Sequence, residues 1–148
     1  MRIFLDTNIF LEYLCGRSKA RVVRGVLDVI EDKSFQAFLS SSSFCTISYY
    51  VELTLKEAGI KRPEKTIRTR EILNSLLDIA TIADTDHSRT VLATNDESFN
   101  DLEDSMQYQC ARKAKCSIIV TLNIKGFKKS DQTDITIMTP EQFLQTYK

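Results

Sequence analysis

The stretch Arg2-Ile3-Phe4-Leu5-Asp6-Thr7-Asn8 runs three apolar residues straight into an acid, a hydroxyl and an amide. Ile3-Phe4-Leu5 has no polar alternation, which is the pattern of a short strand covered on both faces. Such a strand belongs in a parallel sheet flanked by helices. A carboxylate at its tip then lies outside the carboxyl ends of the strands, where open sheets of this kind gather ligands.

Working outward from that strand, helical spacing of apolar residues recurs over 9–14, closed by Gly16, and over 20–30 through Val22, Val23, Val26, Leu27 and Ile30. A second strand is expected at 35–39, followed by four serines (40–43) as a loop with helix caps. A helix over 44–55 and another running from Pro63 to Leu77 come next, the proline suiting a first helical turn. Strands are further expected at 78–83, 117–121 and 135–138, with helical segments at 88–94 and 100–114 and after Pro140. Strands alternating with helices predict a three-layer α/β/α sandwich around a central, mostly parallel sheet of about five strands. With no internal repeat and no linker, residues 1–148 read as a single domain.

The balance of 20 basic against 20 acidic residues excludes a strongly basic nucleic-acid binder. A phosphate-backbone partner has to be held by local patches or by metal ions. The apolar runs are far too short for a membrane span and no basic leader precedes them, so the expectation is a cytoplasmic protein without membrane contact. Four cysteines (Cys15, Cys45, Cys110, Cys116) without a C-x-x-C pattern read as reduced, mostly buried thiols rather than zinc ligands or disulfides. His87 is the only histidine and stands in a polar stretch, so it is expected to be exposed, and hydrolase chemistry through a serine or cysteine nucleophile has little support.

Two strand ends carry polar residues at the same edge, Asp6-Thr7-Asn8 and Thr121-Leu122-Asn123. The helix that starts near Asn100-Asp101-Leu102-Glu103-Asp104 leads into the second of these strands, so its N-terminus is expected there too. Asp6, Asp104, Asp101 and Asn123 can therefore converge, and a cluster of oxygen donors suits Mg²⁺ or Mn²⁺. Such an ion would neutralise phosphate charge and activate water for attack on a nucleic acid. Each position also has a plainer reading. Asp6 can cap the following helix, Asn123 can serve a turn, and Asn100 with Glu103 fits a capping box, which leaves Glu103 out of the site.

The order of these motifs, hhhLDTNh near residue 6, an acidic D-x-E-D-x-h-Q helix near residue 100 and hhVT-x-N-h-x-x-F near residue 120, resembles the PIN domain family. The tract from Phe127-Lys128-Lys129-Ser130-Asp131 to Thr139-Pro140-Glu141-Gln142-Phe143 is similar to one subgroup of it. The resemblance implies a metal-dependent endoribonuclease using Mg²⁺ or Mn²⁺, many members being toxins of toxin–antitoxin modules. It implies catalytic roles for Asp6, Asp104 with Asp101, and Asn123, and products with a 5′-phosphate and a 3′-hydroxyl. RNA as substrate and an antitoxin protein as partner go with it, and a homodimer is admitted. Arg17, Lys125, Lys128 and Lys129 are candidates for contacts with the RNA backbone.

Two positions depart from the family pattern. Residues 43–51 hold no carboxylate where a second acid is expected, so Glu52 is the candidate one turn late, with Thr46 or Tyr49 otherwise in its slot. Gly126 stands where the family often has an acid before the phenylalanine of the last motif. A degenerate PIN module that binds RNA or a protein without cleavage is the alternative these departures raise. A haloacid dehalogenase-type phosphatase would want a second aspartate two residues after Asp6, where this chain has Asn8.

Overall fold

The computed structural model describes residues 1–127 and 134–148. The chain lays down β1 (Arg2–Leu5), α1 (Thr7–Leu14), α2 (Ala20–Asp32), β2 (Gln36–Ser40), α3 (Ser41–Glu57), α4 (Glu64–Ile79) and β3 (Ala80–Ala83). It continues through α5 (His87–Thr94), α6 (Leu102–Lys113), β4 (Ile118–Val120), α7 (Ile124–Phe127), β5 (Thr136–Met138) and α8 (Pro140–Tyr147). The five strands form one parallel sheet in the order β3-β2-β1-β4-β5. β1 lies at its centre, as its doubly apolar pattern predicts.

Period-two alternation divides the strands between two cores. Ile3, Leu5, Ala37, Leu39, Ile118 and Val120 face α1 to α4 and α8, meeting Ile9, Val26, Ile47, Leu76 and Phe143. Phe4, Phe38 and Ile119 face the other way, against Phe99, Tyr108, Cys110 and Phe127 around α6 and α7. Each fully buried side chain of this size contributes about 1.5–3 kcal/mol, which makes the three-layer sandwich the state that hides both faces.

The serine run is more ordered than a loop. Ser40 ends β2 and caps α3, its hydroxyl accepting the Ser43 amide at 3.0 Å, so the helix begins at Ser41. α1 likewise starts at Thr7, because Asp6 supplies its cap. Only half of the expected thiol burial is found: Cys110 and Cys116 are buried, Cys15 is partly covered and Cys45 is exposed. Burial pushes the Cys110 thiol up to about 11 and the Cys116 thiol up to about 12. Thiolate is the reactive form, so Cys45 is expected to be alkylated first under native conditions, with Cys110 and Cys116 labelled only after unfolding. Peptide mass spectrometry after timed labelling checks this order. His87 is exposed at the start of α5, and among the described residues no helix is long and apolar enough to cross a membrane.

Candidate active site

From β1 the chain fills β2 and β3 on one side, then returns to place β4 and β5 on the other. The winding reverses between β1 and β4, which opens a crevice outside their carboxyl ends. The Asp6 amide donates to the Val120 carbonyl at 3.1 Å, so Asp6 and Thr121 leave the sheet side by side. The Thr121 hydroxyl donates to Asp6 Oδ2 at 2.6 Å and Asn8 Nδ2 donates to the same oxygen at 2.7 Å. The Thr7 amide donates to Asp6 Oδ1 at 2.7 Å. Asp6 is therefore both a helix cap and a carboxylate fixed in orientation at the sheet edge. Asn8 also accepts the Leu122 amide at 3.2 Å, tying the tip of β1 to that of β4.

α6 brings its N-terminus to the same crevice. Its cap is Asp101 rather than Asn100, since Asp101 is the last extended residue (φ −120°, ψ 127°) and its carboxylate accepts the amides of Glu103 and Asp104. Asp104 is buried beyond it, with Asn123 Nδ2 donating to Asp104 Oδ2 at 3.3 Å. A cavity of about 310 Å³ is lined by Asp6, Asp101, Glu103, Asp104 and Asn123 together with Thr7, Asn8, Leu11, Thr46 and Tyr50. Burial raises the Asp6 pKa against the pull of its three hydrogen bonds, and the charge of Glu103 adds to the rise. Burial, and then the charges of Asp6, Asp101 and Glu103, hold Asp104 up at about 6.

Of the residues singled out in the sequence, Asp6, Asp101, Asp104 and Asn123 meet at this cavity, and Glu52 does not. Glu52 lines a separate hollow with Tyr49, Leu53, Lys56 and Lys65. Helical phase is the reason. Thr46 and Tyr50, four apart, face the acids, Ile47 and Val51 enter the core, and Glu52 lies roughly 200° round the helix from Tyr50. Thr46 thus occupies the face where a second acid was expected.

Glu103, which capping had seemed to explain, does line the cavity, and Thr7 Oγ1 donates to its Oε1 at 3.3 Å. Behind Thr7 lies a buried polar relay also missed in the sequence. Gln107 Nε2 donates to Thr7 Oγ1 at 2.9 Å and to Ser43 Oγ at 2.6 Å, and Ser43 pairs with Thr7 and Ser40. The available signal was an amide on the same helix face as Cys110 and Ala111, a polar side chain where the stripe demands burial.

The donor set fits a hard divalent cation. Four carboxylates and two amides line the cavity with no lysine or arginine among its lining residues, an arrangement of like charges that a cation would relieve. Among the described residues, no group of three or more acidic, histidine or cysteine side chains is placed to hold an ion by itself. Mg²⁺ does not require one, since it keeps several waters and takes one or two carboxylates.

Comparison with known proteins bears on the same segments. The family model of the PIN domain matches residues 2–125. The chain is similar to Ribonuclease VapC1 of Aquifex aeolicus (strain VF5), at 28% identity over 99% of this chain and 95% of that protein. Its fold is similar to a crystal structure of VapBC2 from Rickettsia felis bound to a DNA fragment from their promoter. There the TM-score is 0.66 at 17% identity, over 94% of this chain and 98% of that one. The strand-tip aspartate, the capped acidic helix and the Thr121–Asn123 edge all fall within the matched residues, and the chain belongs to the PIN domain family.

Proposed function

We propose that the chain is a toxin-type ribonuclease, a single domain over 1–148 that hydrolyses RNA phosphodiester bonds with Mg²⁺ or Mn²⁺ at the Asp6 cavity. The observation that carries this reading is the convergence of Asp6, Asp104 and Asn123, from three distant parts of a PIN-domain chain, on one acidic crevice. Its similarity to a protein named a ribonuclease supports it. Asp6 and Asp104 would hold the ion, with Asp101, Glu103 and Asn123 completing its shell directly or through water. When bound, the ion supplies phosphate charge neutralisation and a water of lowered pKa. Thr7, Asn8 and Thr121 keep the Asp6 carboxylate from turning, so no reorganisation is needed when the substrate arrives. Hydrolysis adds a water oxygen to phosphorus and releases the 3′-oxygen as a hydroxyl, leaving a 5′-phosphate.

Arg17 stacks over Tyr50, a residue of the cavity wall, with its guanidinium carbon 5.6 Å from the ring centroid. It offers a rim cation for the RNA backbone, as does Lys125, exposed on α7. Lys128 and Lys129 lie outside the described residues. An antitoxin partner, a cytoplasmic location and a homodimer go with the toxin reading. The second reading, a module that binds without cutting, is favoured by Thr46 standing where an acid would complete the site.

Incubation of the purified chain with single-stranded and structured RNA decides between them. Cleavage is expected with Mn²⁺ or Mg²⁺, to stop on chelation and to return when the ion is restored. Glu52→Gln is expected to cut at the wild-type rate to within about twofold, since surface substitutions away from a site have small effects. No cleavage together with no saturable Mn²⁺ binding would leave the binding module as the function.

A further inference from the structure

Gly126 lies on α7, against Asp104 and Asn123. A β-carbon built on it would overlap Asp104 Oδ2 outright and would stand 2.9 Å from Asp104 Cγ and 2.7 Å from Asn123 Nδ2. Backbone conformation does not explain the glycine. Gly16 (φ 61°) and Gly59 (φ 82°) occupy the left-handed region that favours this residue, and Gly126 does not. Space explains it.

The two sides of this contact differ in stiffness. α7 is anchored by Phe127, which is fully buried and packs edge-on against Phe99, and the Gly126 amide donates to the Asn123 carbonyl at 3.1 Å. The Asp104 carboxylate is the far end of a rotatable side chain. A side chain at 126 would turn the carboxylate away before it moved the helix turn.

We infer that Gly126 is a positioning residue of the acidic site, its missing side chain being the space in which the Asp104 carboxylate lies beside Asn123. The inference rests on the reading of Asp104 as a ligand.

The test titrates Mn²⁺ calorimetrically into the wild-type chain, Gly126→Ala, Asp104→Asn and the double variant, and solves the metal-free crystal structure of Gly126→Ala. Gly126→Ala is expected to weaken Mn²⁺ uptake about tenfold, as loss of a ligand-orienting contact does. The double variant is expected to bind no more weakly than Asp104→Asn alone, because Gly126 acts through Asp104. In the crystal, the carboxylate should have left Asn123 with Phe127 still in place. Fully additive losses, or a carboxylate that stays while α7 shifts, would overturn the inference. If the wild-type chain takes up no Mn²⁺, or Asp104→Asn takes it up unchanged, the metal reading of the cavity falls and the crystal structure alone decides for or against Gly126.

Discussion

Asp6→Asn is expected to reduce divalent-dependent RNA cleavage by about a thousandfold or more, the scale of loss when charge stabilisation at the reacting centre is removed. The substitution keeps the size and shape of the side chain and removes its charge. It also disturbs the hydrogen bonds in a predictable way. Both Asp6 oxygens accept, Oδ1 from the Thr7 amide and Oδ2 from Asn8 and Thr121, whereas an asparagine offers one oxygen and one NH₂. The Thr121 hydroxyl can rotate to accept from that NH₂, but the Asn8 amide then faces another donor. The disturbed hydrogen bonds cost about 1 kcal/mol, offset in part by removal of a charge that burial disfavours, so the net change is small beside the catalytic effect. Initial rates on one RNA over a range of Mn²⁺ concentrations, with circular dichroism to confirm the fold, make the comparison. A variant that keeps more than roughly a hundredth of the wild-type rate would place the chemistry elsewhere.

Asp104→Asn is expected to have opposite effects on activity and stability, abolishing cleavage while making the metal-free protein more stable at neutral pH. Burial and the neighbouring acids hold Asp104 at about 6 in the folded chain, against an ordinary value of 3.8. The folded state thus binds this proton more tightly than the unfolded state, so the group favours folding at low pH. That contribution is lost as the pH rises from about 4 through about 6. The carboxylate faces a cavity open to water, and after allowing for that screening the loss amounts to about 1–2 kcal/mol. Asp6, raised in the same direction, adds to the wild-type slope, and subtracting the variant isolates the share of Asp104. Urea unfolding between pH 4 and pH 7 in the presence of a chelator measures both curves. A wild-type chain that gains stability across this window relative to the variant would contradict the assignment.

Asp6 could be named from the sequence because it ends an apolar strand, and Asp104 because its helix leads into another. Ile3-Phe4-Leu5 announces a strand buried on two faces and Ile118-Ile119-Val120 announces its neighbour, so the polar residues at their two tips land at one edge. Phase within a helix was harder to read. Over 44–55 the apolar residues define a broad stripe that fits more than one rotation, and only packing shows that Thr46 and Tyr50 look toward the acids while Glu52 looks away. Glu103 was hidden by a sufficient local explanation, since a capping box accounts for a glutamate at that position without a site. In the structure the cap is one residue later, and Glu103 is free to reach Thr7. Gly126 read as an omission because a sequence shows which side chain is missing and not which neighbour has taken its space.

The bridge that Asn8 makes between the ends of β1 and β4 has a consequence for biosynthesis. Asp6 and Asn8 are synthesised more than a hundred residues before the partners that join them across the sheet edge, Thr121 for Asp6 and Leu122 for Asn8. Until those partners are made, β1 lacks its neighbour β4, the Asp6 carboxylate lacks the Thr121 hydroxyl and the acidic crevice has only one wall. A nascent chain paused between α6 and β4 therefore carries all four acids without the finished pocket, and the site is completed only by the last strands to be made.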